Sequence, residues 1–196
     1  VRNDRVVWAS CMVACGDADG AVTGNTRRFG ASLDKIKQVV NPRKGEIMFG
    51  LNLVVHKGKT IFVADTSVHE YPSSNEMSEI AISAARVVRL FGFDPKVAFV
   101  SHSTFGQPLT SRTKHIKKAV DILKEKNVDF EFDGDMQPDV ALNKDYKSLY
   151  PFSNIVGNAN ILIMPGQHSA AISYKMMKEL GDTKVIGPLL IGLGLP

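Results

Sequence analysis

The sequence predicts an α/β fold, a mostly parallel sheet with helices on both faces. Three observations lead there. Short apolar runs rich in Val, Ile and Phe alternate with stretches of helical period along the chain. One pair of β-rich runs is joined by a short glycine-containing loop, a hairpin set inside that alternation. The 196 residues, 44% hydrophobic and 22% charged, suffice for one large α/β domain or two small lobes, and no repeat or low-complexity tract interrupts them.

The elements follow in order. From Asp4 to Cys15 apolar residues recur with helical spacing, and Gly16 ends the run. "GAVTGN", Gly20 to Asn25, is a short apolar run between glycines and predicts a buried strand ending in a polar loop. "FGASLDKIKQVV" resumes the helical period through Leu33, Ile36, Val39 and Val40, stopped by Asn41-Pro42. "IMFGLNLVV" and "TIFVADTSV", joined by His56-Lys57-Gly58-Lys59, form the hairpin. "SSNEMSEIAISAARVVRLFG" is the strongest helix: Ser73 and Glu76 have capping-box spacing, and Met77, Ile80, Ala81, Ala84, Val87, Val88 and Phe91 share a face. Gly92 closes it. "KVAFVS" predicts a strand, "SRTKHIKKAVDILKEK" a helix, "VDFEF" a strand and "QPDVALN" a short helix. "NILIMP" then predicts a strand, "HSAAISYKMMKELG" a helix and "KVIGPLL" a final strand.

Composition narrows the function classes. Net charge is +4 with a pI of about 9.0, and Lys and Arg are scattered except in "RTKHIKK", Arg112 to Lys118. That run reads as a solvated helix face or a phosphate-facing patch; without a basic stripe interleaved with aromatics, no nucleic-acid partner is expected. Cys11 and Cys15 lie one helical turn apart, outside CxxC spacing, and read as small buried residues of a reduced, cytoplasmic protein. No apolar run approaches ~18 residues and no start resembles a signal peptide, so no membrane partner is expected. Val1 and the closing "IGPLLIGLGLP" read as cut ends of something longer.

In an open α/β sheet, ligands bind beyond the carboxyl ends of strands. Those ends carry Thr23-Gly24-Asn25 with Arg27-Arg28, then Asp65-Thr66-Ser67, Ser101-His102-Ser103-Thr104, Asp133-Gly134-Asp135 and Pro165-Gly166-Gln167-His168. Hydroxyls, amides and guanidiniums at these tips suit a phosphate-bearing ligand. The same Ser, Thr and Gly also serve as caps and turns. Asp133 and Asp135 either flank an active centre or bind a cation, or else close a turn with Gly134. His102 could act as a base; it and His56, His69, His115 and His168 otherwise read as hydrogen-bonded structural residues, and none lies in a metal-ligand spacing. Gly192-Leu-Gly194 lacks the rest of a dinucleotide fingerprint, and there is no P-loop.

"GDADGAVTG", "FVADTSVHEYPSSNEMSEIAISAARVVRLFGFDPKVAFVSHSTFG", "DFEFDGDMQPDVALN" and "NILIMPGQHSAAISYKMMKELGDTKVIGPLLIGL" resemble, in order and spacing, the phosphate acetyl/butyryl transferase family. "YPFSNIVGNANILIMPGQHSAAIS" and "KVIGPLLIGL" are similar to one branch, the phosphotransacetylase-like C-terminal domain of bacterial multimodular NADP-dependent malic enzymes. The resemblance implies a two-lobed fold like that of the isocitrate and isopropylmalate dehydrogenases, with coenzyme A between the lobes and a homodimer or higher homo-oligomer. Residues 1–196 would then be a partial domain, lacking the family's N-terminal part and its catalytic serine–arginine pair and aspartate, which follow "GPLLIGLGLP".

Two loops depart from the family pattern. In "TGNTRRFGASLDKIKQ" Arg27, Arg28 and Phe29 stand where small hydroxyls are expected, with Asp34 or Lys35 in place of an arginine. The family's "SFSTKG" reads Ser101 to Gly106 with His102 for Phe and Phe105 for Lys. The ligand-binding residues implied are Thr23, Asn25, Arg27, Arg28, Ser101, Ser103, Thr104 and Asp135; no catalytic or metal-binding residue is assigned. The branch implies a regulatory domain binding acetyl-CoA, with NADP and a divalent metal held by a separate malate-oxidising domain. The alternative is a transferase moving an acyl group between coenzyme A and phosphate.

Overall fold

The computed structural model describes residues 3–24 and 26–195. The chain divides into two compact units, Val1–Met48 with Leu190–Pro196, and Phe49–Leu189.

In the first unit, α1 (Arg5–Cys15) starts where Asp4 accepts hydrogen bonds from the Val6 and Val7 amides. It ends at Gly16, whose φ of 80° lets its N–H reach back to the last turn. Val6, Val7, Ser10 and Val13 form the buried stripe, while Trp8, the single tryptophan, is 59% exposed on the opposite side. Cys15 is exposed and Cys11 only half-buried, against the expectation of two buried thiols. Both lie off the Val6–Ser10–Val13 stripe, so one helical turn places them together but away from the packed side. The second helix, α2 (Phe29–Ile36), buries Ser32 and Leu33. The expected strand at "GAVTGN" is not there: residues 20–24 are irregular and mostly exposed, with Val22 fully so. Two apolar residues between glycines bury too little to hold an unpaired strand. Residues 190–195 close the unit: Arg43 N–H donates to the Gly192 carbonyl at 2.9 Å, and Pro42 bridges Leu193. Gly192 lies against the Ile47 carbonyl, where a Cβ would collide.

The second unit is a six-stranded sheet. Its strands are β1 (Phe49–His56), β2 (Lys59–Ala64), β3 (Lys96–Val100), β4 (Glu131–Met136), β5 (Ile161–Ile163) and β6 (Thr183–Ile191, of which residues 183–189 belong to this unit), in the order β4-β3-β5-β2-β1-β6. β4, β3, β5 and β2 are parallel neighbours. β1 and β2 form the expected hairpin, from Leu51↔Ala64 to His56↔Lys59, turning through Lys57 and Gly58, both at positive φ. β6 runs opposite to β1: Thr183 meets His56 at 3.0 Å, while Gly187 abuts Leu51. β1 is therefore the one strand against the common direction.

Helices cover both faces. On one, α3 (Ser74–Leu90) and α4 (Ser111–Glu125) bury Met77, Ile80, Ala84 and Val88 with Ile116, Ala119, Val120 and Leu123. The Ser73–Glu76 capping box forms in both directions, and Gly92 at φ 82° follows the helix end. On the other face, α5 (Pro138–Leu142) and α7 (Gln167–Leu180) pack on Val54, Val63, Ala98, Val100 and Leu162. Between them α6 (Lys144–Lys147) is an unexpected single turn, started by Asn143 accepting from the Asp145 amide.

The fourth strand lies further along than "VDFEF" suggests. It runs through Asp133-Gly134-Asp135, pairing Asp133 with Ala98 and Gly134 with Phe99, so the step is not a turn. Gly134 presses on Phe99, where a Cβ would fall 2.8 Å from the Phe99 carbonyl. Here glycine serves close approach of two strands. Among the described residues, no helix is long and apolar enough to cross a membrane.

Candidate functional site

The carboxyl ends of the second unit's parallel strands carry two knots, each built on a buried aspartate. The first follows β2. Asp65, 1% exposed, accepts from the amides of Gly50 (2.9 Å), Ser67 (2.8 Å), Val68 (3.1 Å) and His69 (2.7 Å). His69 Nδ1 adds a fifth bond at 2.7 Å. Burial by itself raises the Asp65 carboxyl, but the His69 ring and these amides outweigh it and hold it below the usual carboxylate range. Thr66 Oγ1 donates to Asn52 Oδ1 at 3.0 Å, and Gly50 leaves room for Thr66 and Ser67 to close over β1. The β5 loop locks on from the other side, as Gln167 N–H donates to the Glu70 carbonyl and its Nε2 to the Ser67 carbonyl at 3.2 Å.

The second knot joins the ends of β3 and β4. Ser101, Ser103, Thr104 and Asp135 are 7%, 0%, 7% and 1% exposed. Ser103 Oγ donates to Asp135 Oδ2, and Gly106 N–H donates to Asp135 Oδ1 at 3.0 Å. Ser101 Oγ accepts from Ser103 N–H at 3.3 Å, and Thr104 Oγ1 accepts from Gln137 N–H at 3.3 Å. Four of the eight ligand-binding candidates thus gather at these two strand ends, with the Ser101 and Ser103 hydroxyls 3.4 Å apart. Phe105, at φ 49°, turns its ring onto Phe152 and Tyr150, 4.8 and 5.5 Å between centroids. Beside it a cavity of about 250 Å³ is lined by Phe105, Lys117, Lys124, Asp133, Asp135 and Phe152. Asp133 is occupied by the amides of Gly134 and Asn154, at 2.9 and 2.7 Å.

The other candidates belong to the first unit. Thr23 is exposed in the irregular segment, and Asn25 lies outside the described residues. Arg27 shares Asp4 with Lys35; against the opposing effect of burial, Lys35 foremost, then the Val7 and Val6 amides and last Arg27 hold the Asp4 carboxyl well below its ordinary range. Arg28, the residue before α2, is exposed and forms no ion pair with the described residues.

His102 is exposed at the edge of the second knot, whereas His115 bonds Ser74 Oγ and the Pro72 carbonyl, and His168 meets Glu70. Arg112 sits over the Tyr71 ring at 4.7 Å, so the basic run on α4 is partly engaged in packing. The Asp65–His69 pairing escaped sequence reading, although Asp and His four apart just beyond a strand end was its available signal. Among the described residues no group of three or more His, Cys, Asp or Glu side chains could hold a metal ion. The second unit thus carries two polar knots at its strand ends, and in the first unit the exposed Arg28 guanidinium forms no ion pair with the described residues, a group suited to an anionic ligand.

The profile of the phosphate acetyl/butaryl transferase family matches residues 1–196. A curated NADP-dependent malic enzyme of Rhizobium meliloti (strain 1021) is 46% identical over 193 residues, covering 98% of this chain and 25% of its own length. A phosphate acetyltransferase of Bacillus subtilis (strain 168) is 30% identical over 195 residues, 98% of this chain and 60% of its own. A crystal structure of a phosphotransacetylase from Streptococcus pyogenes superposes with a TM-score of 0.88 at 29% identity, over 97% of this chain and 59% of that one. The chain thus spans about a quarter of the malic enzyme that it matches.

Proposed function

Since the chain belongs to the phosphate acetyl/butaryl transferase family, we propose that it is the phosphotransacetylase-like regulatory domain of an NADP-dependent malic enzyme, binding acetyl-CoA as an effector within a homo-oligomer. The observation that carries this reading is the 46% identity to one quarter of a malic enzyme, against 30% to a phosphate acetyltransferase. The site chemistry supports it. In the first unit, the exposed Arg28 forms no ion pair with the described residues and suits a coenzyme A phosphate, and Arg27 needs only to exchange Asp4 for one. In the second unit, the Ser101–Gly106 loop is held in shape by Asp135 and presents the exposed His102, a polar edge for the amides of a ligand. Regulation requires acetyl-CoA to favour one arrangement of the parent assembly over another. NADP and the divalent metal belong to the malate-oxidising part of the parent.

Titration calorimetry of the full-length parent with acetyl-CoA tests the reading. Saturable heat, together with a change in malate oxidation at the same concentrations, is expected. No heat and no thermal shift at millimolar acetyl-CoA would sink it. The second reading, an acyltransferase, is favoured by the TM-score of 0.88 to a phosphotransacetylase. It predicts acetyl phosphate formation from acetyl-CoA and phosphate, which the regulatory reading expects to be absent.

A further inference from the structure

The first helix carries a second stripe on the side away from its packed one. Val6, Val7, Ser10 and Val13 are its buried residues. Trp8, Cys11, Met12 and Cys15 recur at the spacing that puts side chains on one helical face, opposite that buried set. Trp8 is 59% and Met12 38% exposed, Cys15 is exposed and Cys11 is half-buried. Both thiols are free, and they are the two cysteines of the chain.

We propose that this stripe is a binding site for a soft monovalent cation, copper(I) or silver(I). The Cys11 and Cys15 thiolates hold the ion, with the Met12 thioether and the Trp8 ring beside it. The site lies within α1 and is independent of the effector reading.

Geometry favours a metal over a disulfide. Residues four apart on a helix hold their Cβ atoms about 5–6 Å apart, whereas a disulfide needs about 3.5–4.5 Å. Joining the two sulfurs directly would unwind the last turn of α1. One ion with two metal–sulfur bonds of about 2.3 Å spans about 4.6 Å between sulfurs and leaves the helix intact. Trp8 is a surface neighbour of Cys11 and Met12, and Met12 of Cys15, at three- and four-residue steps.

The donor set selects the ion. Thiolate and thioether sulfurs favour soft cations, while magnesium and calcium take oxygen. A structural zinc takes four ligands, and among the described residues no group of three or more His, Cys, Asp or Glu side chains could hold one. An iron–sulfur cluster takes four thiolates, and the chain has two cysteines. Copper(I) and silver(I) are satisfied by two thiolates in line. The last turn of α1 holds no basic side chain, so the negative end of the helix dipole favours a cation there without competition. The indole face attracts a cation as well. On binding, two S–H bonds give way to two metal–sulfur bonds and two protons pass to solvent, with no change of oxidation state.

Silver nitrate titrated into the chain in chloride-free buffer tests the proposal, read by the fluorescence of Trp8, its single tryptophan. One silver ion per chain should quench the indole and protect both thiols from a thiol-specific disulfide reagent. Cys11→Ser and, separately, Cys15→Ser should each weaken binding by about 100-fold or more, with unchanged circular dichroism because both lie off the packed stripe. Alkylating the wild-type thiols with iodoacetamide should abolish the quenching without any substitution. Met176→Leu, at a methionine 54% exposed on α7, is the control and should leave the titration as it is. Two silver ions per chain, one on each thiol, would overturn the proposal. So would a single-serine variant that keeps wild-type affinity, or displacement of silver by an equal concentration of zinc(II).

Discussion

The two aspartate knots at the strand ends are alike in burial and unlike in construction. Asp65 is bound by four backbone amides and one imidazole, and three of those amides come from the four residues that follow it. Asp135 is bound by one side-chain hydroxyl and one amide, both brought by a loop some 30 residues earlier in the chain. The first knot is local and fixes its own loop. The second ties two strands' loops together, so its integrity depends on β3 and β4 staying in register. A polar site that must yield to a ligand is better built on the second plan, because one hydroxyl rotates at less cost than four amides move.

The comparison can be broken most sharply at Asp65. Asp65→Ala takes the acceptor from five donors, the buried Gly50 amide and four partly buried ones, and should cost about 4 kcal/mol, lowering Tm by roughly 10 °C in a calorimetric scan. Asp65→Asn sharpens it by pH. The folded carboxyl titrates below its unfolded counterpart, so its contribution is complete above about pH 4 and is lost as pH falls through the depressed folded value. The acid limb of the wild-type stability curve should therefore flatten in Asp65→Asn.

Gly134→Ala is next. Its methyl would meet Phe99 at 2.7 to 2.8 Å on a glycine-only backbone, and a loss of about 3 kcal/mol in urea melts is expected. Ser103→Ala removes one bond to Asp135 and should cost about 1.5 kcal/mol, less than half the Asp65→Ala effect. If Ser103→Ala equals Asp65→Ala, the contrast between the knots fails. The smallest stability effect is expected at Arg28→Ala, within about 0.5 kcal/mol of wild type, while acetyl-CoA affinity falls about tenfold in calorimetry.

Much of the fold is legible in the sequence because it rests on local signals. The Ser73–Glu76 box, the glycine stops at 16 and 92 and the Lys57-Gly58 hairpin are written within a few residues of where they act. Error enters where a residue's role is set by a distant neighbour. Asp133-Gly134-Asp135 has the letters of a turn, yet it is strand because Phe99 requires a glycine opposite. "GAVTGN" has the letters of a strand, but among the described residues none pairs with residues 20–24.

The candidate site divides the same way. Its positions beyond β2, β3 and β5 follow from strand–helix alternation. That Ser103 bonds Asp135, or that Gly50 reaches Asp65, depends on pairings 32 and 15 residues apart that no spacing rule contains.

Trp8 lies on α1 in the first unit, and Tyr71, Tyr146, Tyr150 and Tyr174 all lie in the second. The two bodies therefore carry different chromophores. Red-edge excitation of the indole follows the melting of one, and phenol absorbance follows the other. A single heating experiment at two wavelengths would time each transition on its own clock, with no label or substitution needed.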